Sequence, residues 1–589
     1  MRLRKAWAIW AVGGILQMVR NYWTQTFDRR KLLRAAGIGS AGLAGAVLVG
    51  CSDDGDDAAT PSGTPQPSGT TAPTATSAPA TPAPDMATTG GDLRMASVGR
   101  ASSLDLMTSA SGTPQYHVGP VYSTLLTRSY DADLNLTLEP DLAESWDGTP
   151  DGLSYTFDLR KGVKFHNRSP VDGREMTTDD IKFSIEREIE GTRRPRRAQF
   201  ESISKVEFPD DNTLKLTLSE PVADFINWIA DPYHIIMPTE ADDEFVAADG
   251  IGTGPFILDS FRPDDAAKFV RNPDYFRGTP YLDSIRTTIM GDQDSMIASF
   301  RAGNLDISAA SSSGYLRPRQ IQQVKSSVSD AQFFSVPNLN VGHFRYNLEE
   351  GPFVDKRVRQ AIGLLIDDAT WVEGLFDGAG ARTAPVPSGH GKWSLPLAEL
   401  PARGGEAQIK KSADLLAAAG YDAGNSLTIR NVSLGSPPSV STATGIALLE
   451  DALKKVNVGF EVDNNDYGTW LKALINKQFD FNMILGVLGF AEPGTYVETY
   501  FWDEGGRGYT KHGDATLNAM IKNQRVMLDE EERLEAIHNI QRHVVEEEYY
   551  TMMQSDTIVI AGQSNLRGYS LDLLHGGNMH NSWQWSLEA

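Results

Sequence analysis

Ten histidines in 589 residues raise the question of a metal centre. The close pair, His538 and His543, stands five residues apart, which at 3.6 residues per turn turns the two rings about 140° away from each other. They do not share an ion. His543 and Glu546 do share a helix face, but two ligands fall short of the four that a structural zinc takes, and no HExxH run is present. His575 and His580 flank a Gly-Gly-Asn loop and read as solvated. Nucleophile elbows of the GxSxG type are absent. The run Gly252-Thr-Gly-Pro-Phe256 is glycine-rich but lacks the GK[ST] ending of a phosphate loop, so it reads as a turn feeding a strand. No catalytic set, metal or cofactor is expected.

The elements that would position any site are legible in the pattern. Within residues 153–185, Leu153, Tyr155, Phe157 and Leu159 alternate with polar residues, the period-2 mark of a half-buried strand. Val163 and Phe165 restart the alternation after Gly162 and predict a hairpin. Thr177 or Thr178 then caps a helix with Asp179 and Asp180 in its first turn, where carboxylates favour the positive helix end. Residues 93–98 and 213–218 read as further strands, and 341–347 as a short one. A helix after Phe353 carries Val358, Ala361, Ile362, Leu365 and Ile366 on one stripe. Helical stretches at 409–419 and 446–456 then alternate with extended ones at 427–432 and 459–462, which predicts α/β layering. A helix over 529–547 has Leu534, Ile537, Ile540 and Val544 as its core face, and the chain turns β-rich after Tyr549.

The N-terminal 50 residues are of another kind. They hold eight Lys and Arg against one Asp, so removing them takes the net charge from −23 to −30. A surface that acidic repels phosphate backbones, and no nucleic-acid partner is expected. Arg29 and Arg30 precede a 15-residue apolar run over 35–49, and Leu48-Val49-Gly50-Cys51 closes it. That layout is a secretory signal. The paired arginines resemble the twin-arginine export signal, and the last four residues resemble a lipobox, in which Cys51 is lipidated and becomes the mature N-terminus. Cys51 is the sole cysteine, which excludes disulfides within the chain and thiolate metal clusters. After Cys51, residues 52–90 are Ser, Thr, Pro, Ala, Gly and Asp but for Gln66 and Met86, without an aromatic, and 51–90 reads as a disordered tether. Such a tether cannot repay its ordering entropy, and as a flexible coil it reaches roughly 35 Å.

Tyr155-Thr-Phe-Asp-Leu-Arg160-Lys-Gly162-Val-Lys-Phe165-His166, with Leu142-Ala-Glu-Ser-Trp146 before it and Asp180-Ile-Lys-Phe183 after it, resembles the signature of the family 5 extracellular solute-binding proteins. These are the oligopeptide, dipeptide and nickel-type receptors of ABC importers. The GTGP-aromatic turn, Arg271-Asn-Pro-Asp-Tyr275-Phe276 and Phe300-Arg-Ala-Gly303-Asn-Leu-Asp306-Ile307 follow in the family's order. The resemblance implies an α/β, two-lobed periplasmic-binding-protein fold, class II and of the large type with an extra subdomain in lobe one. Lobe one would span 91–340 with an insertion at about 142–245, lobe two 341–554, and a return to lobe one 555–589. It also implies a monomeric binding protein, not an enzyme, anchored by lipid at Cys51 on the outer face of the cytoplasmic membrane, in the periplasm or at the cell surface. Such a protein captures a peptide-like or other small solute and delivers it to ABC permease subunits. An extracytoplasmic enzyme or a sensory receptor on the same fold is the alternative, since fold does not fix function.

The resemblance also points to a site. Peptide-binding relatives carry a tryptophan and an aspartate about seven and four residues before a cleft proline, the aspartate neutralising the peptide's amine. Here Gly486 and Gly489 hold those places and only Glu492, immediately before Pro493, matches. Either Glu492 replaces the missing carboxylate or the solute carries no free amine, and the second reading is favoured. Tyr122, Trp393, Phe490 and Trp502 fall in segments that match cleft-lining regions, and Asn347 on the first crossing strand is a polar candidate.

Overall fold

The computed structural model describes residues 88–588, apart from 98–103, 109–112, 131–134, 192–195, 242–249, 310–313, 436–438, 486–488, 573–575 and 578. The export signal, Cys51, nearly all of the tether, Gly486 and His575 lie outside the described residues.

Lobe one is built on two four-stranded sheets. In the first, Asp92–Ser97 pairs in parallel with Ser284–Ile289, and Ala266–Arg271 and Phe256–Arg262 continue it antiparallel. Its core joins Leu93, Met95, Phe256 and Phe269 to Ile558, Ile560 and Trp585 from the C-terminal part of the chain. The second sheet runs Ala143–Gly148, Ser154–Leu159, Thr213–Leu218, Ile203–Asp210, all antiparallel. One face is buried by Phe157, Leu159, Leu214 and Leu216 against the helix Thr178–Glu190, which begins with Thr177 N–H donating to Asp180 Oδ2 at 2.8 Å.

The expected hairpin of 153–159 with 163–165 does not form. Ser154–Leu159 is flanked on both sides, by Ala143–Gly148 and Thr213–Leu218, and offers no free edge. Val163 and Phe165 instead pair locally, with Met176 N donating to Val163 O (2.8 Å) and Phe165 N to Arg174 O (3.0 Å). Their alternation records burial of two side chains rather than a sheet partner.

The segments that carried the resemblance meet in space. The Gly252–Gly254 turn feeds the strand Phe256–Arg262; His166 N donates to Gly252 O (2.9 Å), and Asn272 Nδ2 donates to Gly254 O (2.9 Å). A Cβ on Gly254 would lie 2.4 Å from Pro120 O, so a side chain there would force the two segments apart. These residues hold lobe one together.

A three-stranded antiparallel sheet, Gln332–Pro337, Gln554–Gly562, Gly380–Arg382, links the lobes. In lobe two the order is Gly459–Asn465, Thr428–Leu434, Phe481–Ile484, His343–Tyr346, Tyr550–Met552. The first three strands are parallel and His343–Tyr346 is antiparallel to both neighbours. Helices Lys356–Leu364, Gly405–Ala418 and Val440–Lys454 cover it, as the alternating pattern predicts. The long helix Glu530–Glu547 is capped by Asp529, whose side chain accepts from Glu532 N. Its buried face holds Ile537, Ile540 and Val544, but also Arg533 and Gln541, while Leu534 is only half-buried.

Candidate functional site between the lobes

The lobes meet where the short helix Phe225–Ile229 of lobe one faces the helix Pro493–Phe501 of lobe two. Ala223 N donates to Arg525 O (2.8 Å), Trp228 Nε1 donates to Thr495 Oγ1 (2.9 Å), and Arg533 Nη2 lies 2.6 Å from Asp224 Oδ1 with both side chains buried. Arg533 Nε donates to Gln524 Oε1 (3.1 Å), which in turn donates through Nε2 to Glu498 Oε1 (3.0 Å). Gly494 permits this packing: a Cβ there would lie 2.2 Å from Arg533 Nη2 and 2.5 Å from Asp224 Oδ2.

Glu492 occupies the N-cap position of the helix Pro493–Phe501 yet its side chain caps nothing. It crosses the interface, where Oε2 accepts from Asn227 Nδ2 at 2.9 Å and Oε1 is buried without a hydrogen-bond partner. Burial and the nearby Asp224 carboxylate push its carboxyl up to about 8, against the pull of Asn227, Arg533 and Arg128. Glu498 is pushed up to about 7 in the same way, burial again leading. Burial thus favours the protonated form of Glu492, in which the carboxyl offers a donor.

Across from it, Arg128 on the strand Leu126–Tyr130 is 3% exposed. Its Nε lies 3.8 Å from Asp572 Oδ2, and neither Nε nor Nη2 has a hydrogen-bond partner. Burial works against its charge, but Tyr130 and the carboxylates of Asp572 and Asp231 outweigh it. Asp231 is held down at about 2 despite burial, by Arg196 and Arg128. His580, expected to be solvated, is instead buried beside Asp572, Arg128 and Asp231, and burial pushes it down to about 4. The Tyr130 hydroxyl and His580 Nε2 also lack partners. Unsatisfied buried polar atoms are costly, of the order of 1–3 kcal/mol each, and several of them gather in this neighbourhood.

A sequence model of the bacterial extracellular solute-binding proteins, family 5 middle region, matches residues 137–507, more than half of the chain. The chain belongs to this family.

As a family 5 solute-binding protein it is 25% identical over 519 residues to a probable di/tripeptide-binding protein of Pseudomonas aeruginosa, covering 82% of this chain and 95% of that one. It is 31% identical over 310 residues to the heme-binding protein A of Haemophilus influenzae, covering 49% and 54%. The oligopeptide-binding protein AppA of Bacillus subtilis, solved with a nonapeptide, shares the fold with a TM-score of 0.70 at 21% identity, over 86% of this chain and all of that one. Its relatives are receptors rather than enzymes, and the two-lobed fold is theirs.

The solute-binding protein distributes its six sequence-derived site residues unevenly. Trp393, Phe490 and Trp502 pack half-buried on one core with Tyr496, Tyr500 and Ile537, beside the helix that Glu492 opens. Phe490 stands 6.1 Å from the Tyr500 ring, and the guanidinium of Arg533 lies 5.6 Å over Trp393. Tyr122 lies apart, buried in the core of lobe one with its hydroxyl donating to Leu104 O (3.4 Å). Asn347 is buried too; Nδ2 donates to Lys477 O and Phe479 O, and Oδ1 accepts from Glu349 N. Both are fully engaged within the fold. Among the described residues no three His, Cys, Asp or Glu side chains gather in a way that could hold a metal ion; His543 instead lies 2.6 Å from Asp514 Oδ2.

Sequence reasoning missed Arg128, Asp231, Asp572 and His580. They come from three distant segments, around residues 128, 231 and 572–580, and no spacing rule joins them. Arg128 stands between Thr127 and Ser129, and no local signal singles it out.

Proposed function

We propose that this chain captures a small carboxylate-bearing solute between its lobes and delivers it to the permease of an ABC importer, held outside the cytoplasmic membrane by lipid on Cys51. Arg128 carries this reading: a buried guanidinium with two N–H groups left without acceptors matches the carboxylate of a solute. Glu492 takes the other end, donating to a carbonyl or hydroxyl, while Trp393, Phe490 and Trp502 supply apolar wall. Tyr122 and Asn347 act behind the site by holding its segments. The lobes run 91–340 with 555–589, and 341–554, with the insertion at about 142–245. Contacts from both lobes favour closure; a solute that shifts the closed form from 1:99 to 99:1 supplies about 5.5 kcal/mol of differential binding.

A protonated Glu492 does not neutralise an ammonium, and Asp224 is already paired with Arg533. Solutes without a free amine therefore bind better. Calorimetry with matched free and N-acetylated tri- to pentapeptides tests this: the acetylated series is expected to bind more tightly. Micromolar binding of free-amine peptides that Glu492→Gln abolishes would overturn it. Mass spectrometry of the molecule released on denaturing the purified protein names the solute. Labelled palmitate is expected to enter the wild type and not Cys51→Ala.

A further inference from the structure

Lobe two contains a cavity of about 410 Å³ that shares no residue with the interlobe site. It lies among the helices Lys356–Leu364, Gly405–Ala418 and Glu530–Glu547 and the irregular segment 383–403. Leu364, Leu395, Leu400, Leu415, Val545 and Met552 make most of its wall apolar. Its size falls within the range of small-molecule sites.

Its polar side is cationic and incompletely matched. Arg403 is fully engaged, with Nε and Nη2 donating to Asp368 and Nη1 to Met552 O. Arg542 pairs with Glu399 and Glu535. Arg382 donates from Nη1 to Pro401 O (2.8 Å), but its Nε is buried without a hydrogen-bond partner, 3.9 Å from Asp368 Oδ2. Burial and the adjoining Arg403 push Arg382 down to about 10, the response of a cation short of counter-charge. Lys411 stands exposed on the cavity lining with no ion-pair partner among the described residues. Three carboxylates stand against the four cations of the lining; Glu546 is exposed at its edge, as Lys411 is, and the other two do not answer the buried charge. Glu399 is tied to Arg542, and Glu548 accepts from Thr551 Oγ1 while burial pushes it up to about 7.

We infer that this cavity is a second ligand site, taking a small monocarboxylate whose apolar body lies on the leucine wall and whose carboxylate meets Arg382 and Lys411. The site is independent of the interlobe solute and belongs to lobe two alone.

Hexanoate and its uncharged counterpart hexanamide, titrated into the full-length protein by calorimetry, test the assignment. Hexanoate is expected to bind at least tenfold more tightly than hexanamide. Arg382→Gln removes that preference, and Lys411→Ala, at an exposed position that leaves folding intact, weakens hexanoate severalfold. Leu415→Trp fills the cavity and abolishes both, while Arg128→Gln in the interlobe site leaves hexanoate binding unchanged. Equal binding of acid and amide, no binding of either, retention in Leu415→Trp, or loss in Arg128→Gln would each overturn it.

Discussion

Gln541 and Arg128 are both long polar side chains sealed inside the protein, and they are treated in opposite ways. Gln541, in lobe two, accepts from Val386 N and Leu395 N and donates to Trp393 O, so both ends of its amide are occupied by backbone. Asn347 is held likewise. Arg128, at the seam, keeps two donors without acceptors, and Glu492 opposite it keeps one free oxygen. A polar group that specifies the fold is saturated by the fold. On the proposed function, one reserved for a solute is enclosed but left open, at a cost in stability that the solute later offsets.

Removing Gln541 should have the largest effect: Gln541→Ala strands two buried N–H groups and a carbonyl and is expected to lower stability by about 3 kcal/mol, read from urea unfolding followed by tryptophan fluorescence. Arg128→Gln is expected to reverse the weighting. Solute affinity falls about a hundredfold, roughly 2.7 kcal/mol, with a far smaller change in unfolding midpoint. A large stability loss with affinity retained would erase the distinction between the two residues.

Protonation sharpens the contrast further. Glu492 and Glu498 are both raised above their ordinary value of 4.5, so the assembled seam retains protons that the unfolded chain releases. The stability they contribute is complete below about pH 4.5 and is lost as the pH rises toward 8 for Glu492 and toward 7 for Glu498. Each group adds a slope of at most about 1.4 kcal/mol per pH unit. Melting measured from pH 5 to 8 is expected to decline, and Glu492→Gln to flatten part of that decline. The smallest effect belongs to Trp228→Phe, which deletes the bond to Thr495 Oγ1 and should cost about 1 kcal/mol of interlobe stability.

The strands Ser154–Leu159 and Thr213–Leu218 and the cap at Thr177 were legible because each depends on neighbours in sequence. The hairpin over 163–165 failed because alternation reports which side chains are buried, not which strand lies alongside. The core face read from the pattern held Leu534, Ile537, Ile540 and Val544 and did not include Arg533 and Gln541, which a second lobe and a neighbouring loop cover. At the site, Glu492 could be reached through its loop, whereas Arg128, Asp231, Asp572 and His580 become neighbours only when residues more than 450 positions apart are brought together by the fold. Residue type alone did not separate Tyr122 and Asn347, which close the fold, from aromatics and amides that face a solute.

Gly91, just ahead of the first strand, lies against the side chain of Leu587 near the other end of the chain. With residues 1–90 removed, these two points can be joined by a short linker at small entropic cost. A circular permutant opened instead in the exposed turn at Asp422–Asn425 would carry its new termini on lobe two. Fluorophores attached there and on lobe one would report whether the distance between the lobes changes when a solute binds.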